Sequence, residues 1–299
     1  MNFNIQKISV KVPWTNVYGM ARSLLAFSTL LTFVFNDSSY LFKTGVGVEE
    51  MPACGSLIVS IFCVFNNFLL SKILAIGILS AVVVGVYPRI TGVLHWWVMY
   101  SFVNSASVLD GGDHIAAIIT LLLIPITITD CRKNHWAVYK EDTGTILHSW
   151  KSIVAQTTFV VIKIQVALIY LNSAGAKLLI EEWTNGTAIY YWFSHPVFGY
   201  PQTIAFLLDP LISNPFIVTL LTWSVIIFEF ILFAGLFMSE KNKKYLLICG
   251  ILFHFAIAVV HGLVSFSLVM STCLILYLTP IFQSLVIRNL RSKKAYNYA

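Results

Sequence analysis

Long uncharged apolar runs constrain this chain more than any other feature. A helix needs about 20 mostly apolar residues to cross the hydrocarbon core of a bilayer. Eight segments approach that length: residues 17–35, 73–88, 93–109, 113–129, 153–172, 216–238, 245–262 and 264–285. The third is the weakest, being short and carrying His95, Asn104 and several serines. Of the 299 residues, 58% are apolar and 11% charged, and mean hydropathy is +0.81. A soluble domain is nearer half apolar and a quarter charged, so this chain lacks the polar surface to cover a water-soluble globule. That excludes a cytosolic enzyme, a disordered protein and a nucleic-acid binder, in spite of a formal charge of +6. No cleavable signal pattern precedes the first span, which is expected to remain as a helix. No repeat, low-complexity tract or linker is visible, so residues 1–299 read as a single domain.

Basic residues orient such a chain, because cytoplasmic loops are enriched in Lys and Arg. With the N-terminus inside, 14 of the 19 basic residues fall on the cytoplasmic side, among them Lys7, Lys11, Arg132, Lys133 and the tail at 288–294. Only Lys43, Lys72 and Lys177 fall outside. The fold class is therefore all-α: a polytopic membrane protein of eight transmembrane helices with both termini cytoplasmic. Two long outer segments, 36–72 and 173–215, contain apolar runs and are expected to fold back onto the membrane.

Ionisable groups inside spans are costly and draw attention as functional sites. Lys163 and Glu229 lie at equal depth on sequential spans, which suggests an intramembrane ion pair that either locks two helices or relays ions. Arg22 is placed to snorkel to the cytoplasmic surface. Gln156, Gln165, Thr219 and Thr222 read as interhelical hydrogen-bonding groups.

The densest chemistry is Asp110-Gly-Gly-Asp113-His114, between the third and fourth spans. Gly111 and Gly112 permit a tight turn. Asp113 there is either the cap of the fourth helix or the partner that charges and orients His114 for acid/base work. Lys177, His195, His254 and His261 reach the same leaflet by topology, so Asp113, His114 and Lys177 are the catalytic candidates, with Asp110 and His261 in support. No HxxxH or HExxH pattern accompanies them, and no metal is expected. No G-x-S-x-G elbow, Walker A loop or dinucleotide fingerprint occurs, and the sequence names no cofactor. Cys54 and Cys63 share the first outer segment, where a disulfide can persist. On a continuous helix they would be about 13 Å apart along the axis, so a bridge requires the chain to turn back, with Gly55 or the Asn66-Asn67 region as the bend. A disulfide, a thiol pair and two free thiols all remain open.

The stretch Tyr170-Leu-Asn-Ser-Ala-Gly-Ala-Lys177, continuing to Trp183-Thr-Asn-Gly186-Thr-Ala-Ile-Tyr-Tyr191, resembles a passage of the vitamin K-dependent gamma-carboxylase and its bacterial relatives, the HTTM membrane domains. Within that group, His95-Trp-Trp, Asp110-Gly-Gly-Asp113-His114, Asp130-Cys-Arg132-Lys-Asn-His-Trp136 and the His254 to His261 spacing resemble the SdpB family. The likeness implies a multi-pass protein of the bacterial cell membrane that helps to mature or export a secreted peptide toxin of the sporulation-delaying kind. Its partners would be the toxin precursor, a second accessory maturation protein and the lipid bilayer. The carboxylase likeness implies Lys177 as a base supported by His114; this chain has a single lysine there, followed by Leu178, and lacks the lumenal domain. Two other readings stay open: an ion-coupled transporter using Lys163 and Glu229, and a membrane immunity protein that binds the toxin.

Overall fold

The computed structural model describes residues 12–44, 52, 54, 59–65, 67–139 and 145–284. Lys7, Lys11, Gly55, Lys140 and the basic tail at 288–294 lie outside the described residues. Eight long helices carry the fold: α1 (Asn16–Phe35), α2 (Phe68–Val84), α3 (Pro88–Ser105), α4 (Gly111–Thr129), α5 (Ile146–Lys177), α6 (Pro215–Ala234), α7 (Glu240–His261) and α8 (Val264–Leu278). No strand occurs among the described residues; Val86 and Asn134 form an isolated bridge. Five of the helices, α1, α4, α5, α6 and α7, are long and apolar enough to cross a membrane. With lipid rather than water around it, a chain must satisfy its backbone groups within each segment, which is why these runs become helices. α2 and α8 are apolar but shorter.

α8 is the centre of the bundle. Its 15 residues include ten that are buried, from Ser267 to Leu278, and it packs on α1, α4, α5 and α7. α1 lies against α2 and α8, and α3 against α4. By contrast α6 and α7 keep most of their surface bare: only Leu246, Gly250 and His254 are buried along the 22 residues of α7.

The helix ends follow local chemistry. α2 stops at Gly85, whose φ of 90° is the left-handed conformation that favours glycine. Pro88 then opens α3 at its first turn, where a missing N–H costs nothing. α5 begins at Ile146, capped by Thr145 Oγ1, which accepts from His148 N. The bend near Phe62 is closed by a disulfide: Cys54 and Cys63 are bridged, with Cα atoms 5.8 Å apart. Beside Cys63, Phe62 packs in a cluster with the rings of Phe33, Phe42, Phe68 and Phe102.

At the opposite end of the bundle, residues 130–139 fold inward as a plug. Arg132 clamps Asp130 through two side-chain bonds of 2.9 and 2.7 Å and donates to the carbonyls of His135 and Ala137. The plug buries Arg22, which is 1% exposed. This corrects the snorkelling expectation: instead of reaching water, Arg22 donates to His135 Nδ1 at 3.0 Å and Thr91 Oγ1 at 3.1 Å. Because Nδ1 accepts from the guanidinium, His135 carries its proton on Nε2, which meets Ser23 Oγ at 3.1 Å; that hydroxyl in turn donates to Val83 O. The ring sits so tightly that a Cβ on Gly85 would come within 2.5 Å of it.

Burial, reinforced by Arg22 and Arg132, pushes the His135 pKa down to about 3. The unfolded value is about 6.5, so below it the unfolded chain takes up a proton that the folded chain refuses. The contribution to stability is complete above pH 6.5 and falls as pH drops toward 3, by about 1.4 kcal/mol per unit. Melting curves of wild type and His135→Gln in lipid nanodiscs between pH 7 and 4 should therefore converge as pH falls; parallel curves would rule this linkage out.

Candidate functional site

α6 runs antiparallel to α5, and the part of it around Glu229 packs against the end of α5 at Ser173 and Lys177. The two helices are followed by different neighbours. After the turn at Gly235–Phe237, α7 departs toward α8, and α6 and α7 meet through Phe228 and Phe253, with ring centroids 5.2 Å apart. Between α5, α6 and α7 lies a cavity of about 1250 Å³. Its walls are largely apolar, including Val225, Phe228, Leu252, Ile257 and Phe266. Ile227 and Leu252, both lining it, are 55% and 60% exposed. They sit in the middle of their helices, so the cleft opens sideways, at the level where lipid would lie.

The polar groups gather on the α5 side. Lys177, in the last turn of α5, donates to both carboxylate oxygens of Glu229 at 2.9 Å and to Ser173 Oγ at 2.7 Å. Ser173 donates to Glu229 Oε1 at 3.0 Å. The pair is mostly buried, with side-chain exposures of 18% and 9%, and the Lys177 ammonium lies 5.2 Å from the Trp183 ring centroid. An ion pair removed from water persists only if its remaining hydrogen-bonding capacity is also met, which Ser173 helps to do. Beyond it, Tyr170 and His254 meet at 2.9 Å between hydroxyl and Nε2.

The segment after α5 roofs the cleft. Short helices Glu181–Thr184 and Ala188–Phe193 lie along the N-terminal part of α6. Ile189 N donates to Thr222 Oγ1, and Trp183 packs with Ala188 and Ile226. On the far side His261 Nδ1 donates to Phe198 O at 2.6 Å and meets the rings of Trp192 and Phe193. His195 Nδ1 accepts from the backbone of Val197 and Phe198, ordering the roof's turn.

Glu229 thus pairs with Lys177, and the expected Lys163–Glu229 pair is corrected. Lys163 donates instead to the carbonyls of Tyr277 and Thr279, at 2.7 and 2.8 Å, where the free carbonyls of α8 favour a cation. The reason is register. Lys177 fixes the level of Glu229, and Lys163 lies 14 residues earlier, about 21 Å along the same helix. That carries it past the end of α6.

The Asp110–His114 cluster goes elsewhere. Asp110 caps α4 by accepting from Asp113 N at 3.0 Å, and Asp113 accepts from Asp110 N at 3.0 Å: a capping box. Ser265 donates to Asp110 Oδ2. His114 is exposed and outside the cleft lining, so Asp113, His114 and Lys177 are not brought together. Among the described residues no three His, Cys, Asp or Glu side chains are grouped to hold a metal.

Sequence reasoning missed Ser173 and Trp183 as partners of the buried charge and Tyr170 as the partner of His254. For Ser173 the spacing carried the signal, since residues 173 and 177 share one face of a helix.

No family model matches the sequence, and no solved structure matches it. Two proteins of Bacillus subtilis (strain 168) do. The chain is 43% identical over 273 residues to "Uncharacterized protein YitO", covering 90% of this chain and 87% of that one. It is 41% identical over 277 residues to "Sporulation-delaying protein SdpB", covering 91% of this chain and 84% of that one. The chain belongs to the SdpB family.

Proposed function

We propose that this protein acts in the bacterial cell membrane in the production of a secreted sporulation-delaying-type peptide toxin, and that the toxin precursor is its partner in the cleft. Kinship with SdpB supports the toxin role. The observation that carries the site is an apolar cleft open at mid-helix with a buried ion pair on its wall. All eight long helices cross the membrane in this reading, with both termini cytoplasmic. The plug and the turn before α7 then face the cytoplasm, while the disulfide and the roof face outward. The shorter α8 crosses because protein surrounds it on every side.

The protein's task is to hold and present the precursor for maturation and export, with a second accessory protein completing the work. Lys177 is engaged as a charge partner, and service as a base would first require breaking its contacts with Glu229 and Ser173. Deleting the gene from its host and assaying the medium for toxin tests the reading. Toxin should vanish, and return on complementation with wild type or with His114→Ala, whose side chain lies outside the cleft. Undiminished toxin after deletion would overturn it.

A further inference from the structure

At one end of the cleft α6 and α7 are joined by the chain itself, through the Gly235–Phe237 turn. At the other end the join is non-covalent. His261, the last residue of α7, donates through Nδ1 to Phe198 O at 2.6 Å. Among the described residues it is the one hydrogen bond between α7 and the roof. Trp192, Phe193, Val260 and His261 line the cleft here, and the His261 ring centroid lies 6.5 Å from that of Trp192 and 5.6 Å from that of Phe193. Phe198 is also held through its nitrogen. Its N–H and that of Val197 both donate to His195 Nδ1, at 3.1 Å each. Gly199 N donates back to His195 O at 2.7 Å and Tyr200 N to Phe193 O at 3.3 Å, which closes residues 193–200 into a strap. A Cβ on Gly199 would come within 2.4 Å of His195 O, so the turn has no slack.

A histidine nitrogen accepts a hydrogen bond only while it carries no proton. His195 Nδ1 accepts two, so this form of the strap needs the neutral imidazole with its proton on Nε2. A proton added at Nδ1 would set three N–H groups against one another and remove the strap's acceptor. His195 is exposed, and imidazole is the side chain whose charge changes between about pH 5 and 8. His261 responds differently, because its Nδ1 keeps its proton and goes on donating whether or not Nε2 gains one. The other titratable groups on the strap and the helix after it are Tyr200 and Asp209, whose side chains bond to each other at 2.5 Å. We infer that the strap is an acid-released latch. With His195 neutral it presents Phe198 O to His261 and fastens the roof to α7; with His195 protonated the fastening parts and the cleft widens at that end. His195 is thus a positioning residue that acts through Phe198. The latch goes beyond the proposed function and does not depend on what the cleft holds; only the assignment of the acid to the outer medium rests on that reading.

The test uses the full-length protein in nanodiscs, with nitroxides coupled to ketone-bearing amino acids placed at Phe206, in the roof helix Gln202–Ile212, and at Val259 on α7. Both positions are exposed, and every cysteine stays in place. Pulsed dipolar spectroscopy reads the distance between the labels at about pH 7.5 and 5.5, on either side of imidazole titration. Wild type should give a narrow peak at the higher pH and gain a longer, broader component at the lower. The ratio of parted to joined molecules should rise about fivefold, the equivalent of about 1 kcal/mol for one net hydrogen bond. His195→Asn brings an oxygen that accepts from the N–H two residues on and does not charge, so it should stay joined at both pH values. It retains His135, which separates the latch from acid loosening at the plug. His261→Ala should be parted at both, and His261→Asn, which keeps a donor, should restore the join. Distances unmoved by acid in wild type, an acid response kept in full by His195→Asn, or His261→Ala joined like wild type would each overturn the inference. Should His261→Ala fail to fold, the acid series on wild type and His195→Asn decides by itself. The toxin role is tested separately by deletion and stands or falls without the latch.

Discussion

Membranes carrying Glu229→Ala should hold little folded protein, whereas a Lys177→Met, Glu229→Leu double variant should fold normally and yield no toxin. Removing one partner strands a buried ammonium, which costs about 3–5 kcal/mol. That is a large share of the about 5–15 kcal/mol that holds a typical protein together. Removing both charges strands nothing. Apolar replacements of similar volume for a buried pair are often neutral or stabilising, and Ser173, which now bonds to both partners, can turn its hydroxyl to a carbonyl of its own helix. Thermal unfolding in nanodiscs separates the two effects, and toxin in the medium reports function. A double variant that is stable and still productive would reduce the pair to a fastening between α5 and α6.

Asp130→Ala is expected to cost a similar amount, about 3–5 kcal/mol, and to spread its damage. Asp130 is wholly buried and holds Arg132 through two side-chain bonds. Without it the guanidinium has only the carbonyls of His135 and Ala137, and the plug that positions His135 over Arg22 loses its anchor. Hydrogen exchange should rise first in residues 130–139 and at the start of α1, ahead of α7 and α8. Exchange that rises uniformly would count against the plug as a separate unit. Asp130→Asn, which keeps the shape and one acceptor oxygen, should recover part of the loss.

The helical membrane class was legible because apolar runs near 20 residues have few other uses. The ends of those runs were less legible, and the errors had consequences. The sequence placed the start of the fifth span at residue 153, where hydropathy rises, but Thr145 caps the helix and it begins at Ile146. Glu229 is matched to the wrong lysine when the cytoplasmic ends of the fifth and sixth spans are set level, because Lys163 lies about 21 Å from Lys177 along α5 and so past the end of α6. Arg22 failed as a snorkeller for a different reason. Its partner His135 is 113 positions away, and no local pattern shows that residues 130–139 fold inward. The expected cap fell on the wrong acid: Asp113 was expected to cap the fourth helix, whereas Asp110 caps it and Asp113, three residues on, closes the capping box. The same residues served the acid/base reading equally well on paper, and what separates the two is where His114 points.

The Cys54–Cys63 bridge ties manufacture of this protein to electron flow. Closing it removes two electrons from the thiols, so each finished copy depends on an oxidant at whichever face the bridge occupies. Cytosolic reductants oppose that reaction. A cell starved of thiol oxidase would accumulate chains inserted in the bilayer with the segment between the two cysteines unfastened. Supply of the protein, and of anything made with its help, would then follow the oxidising capacity of that compartment.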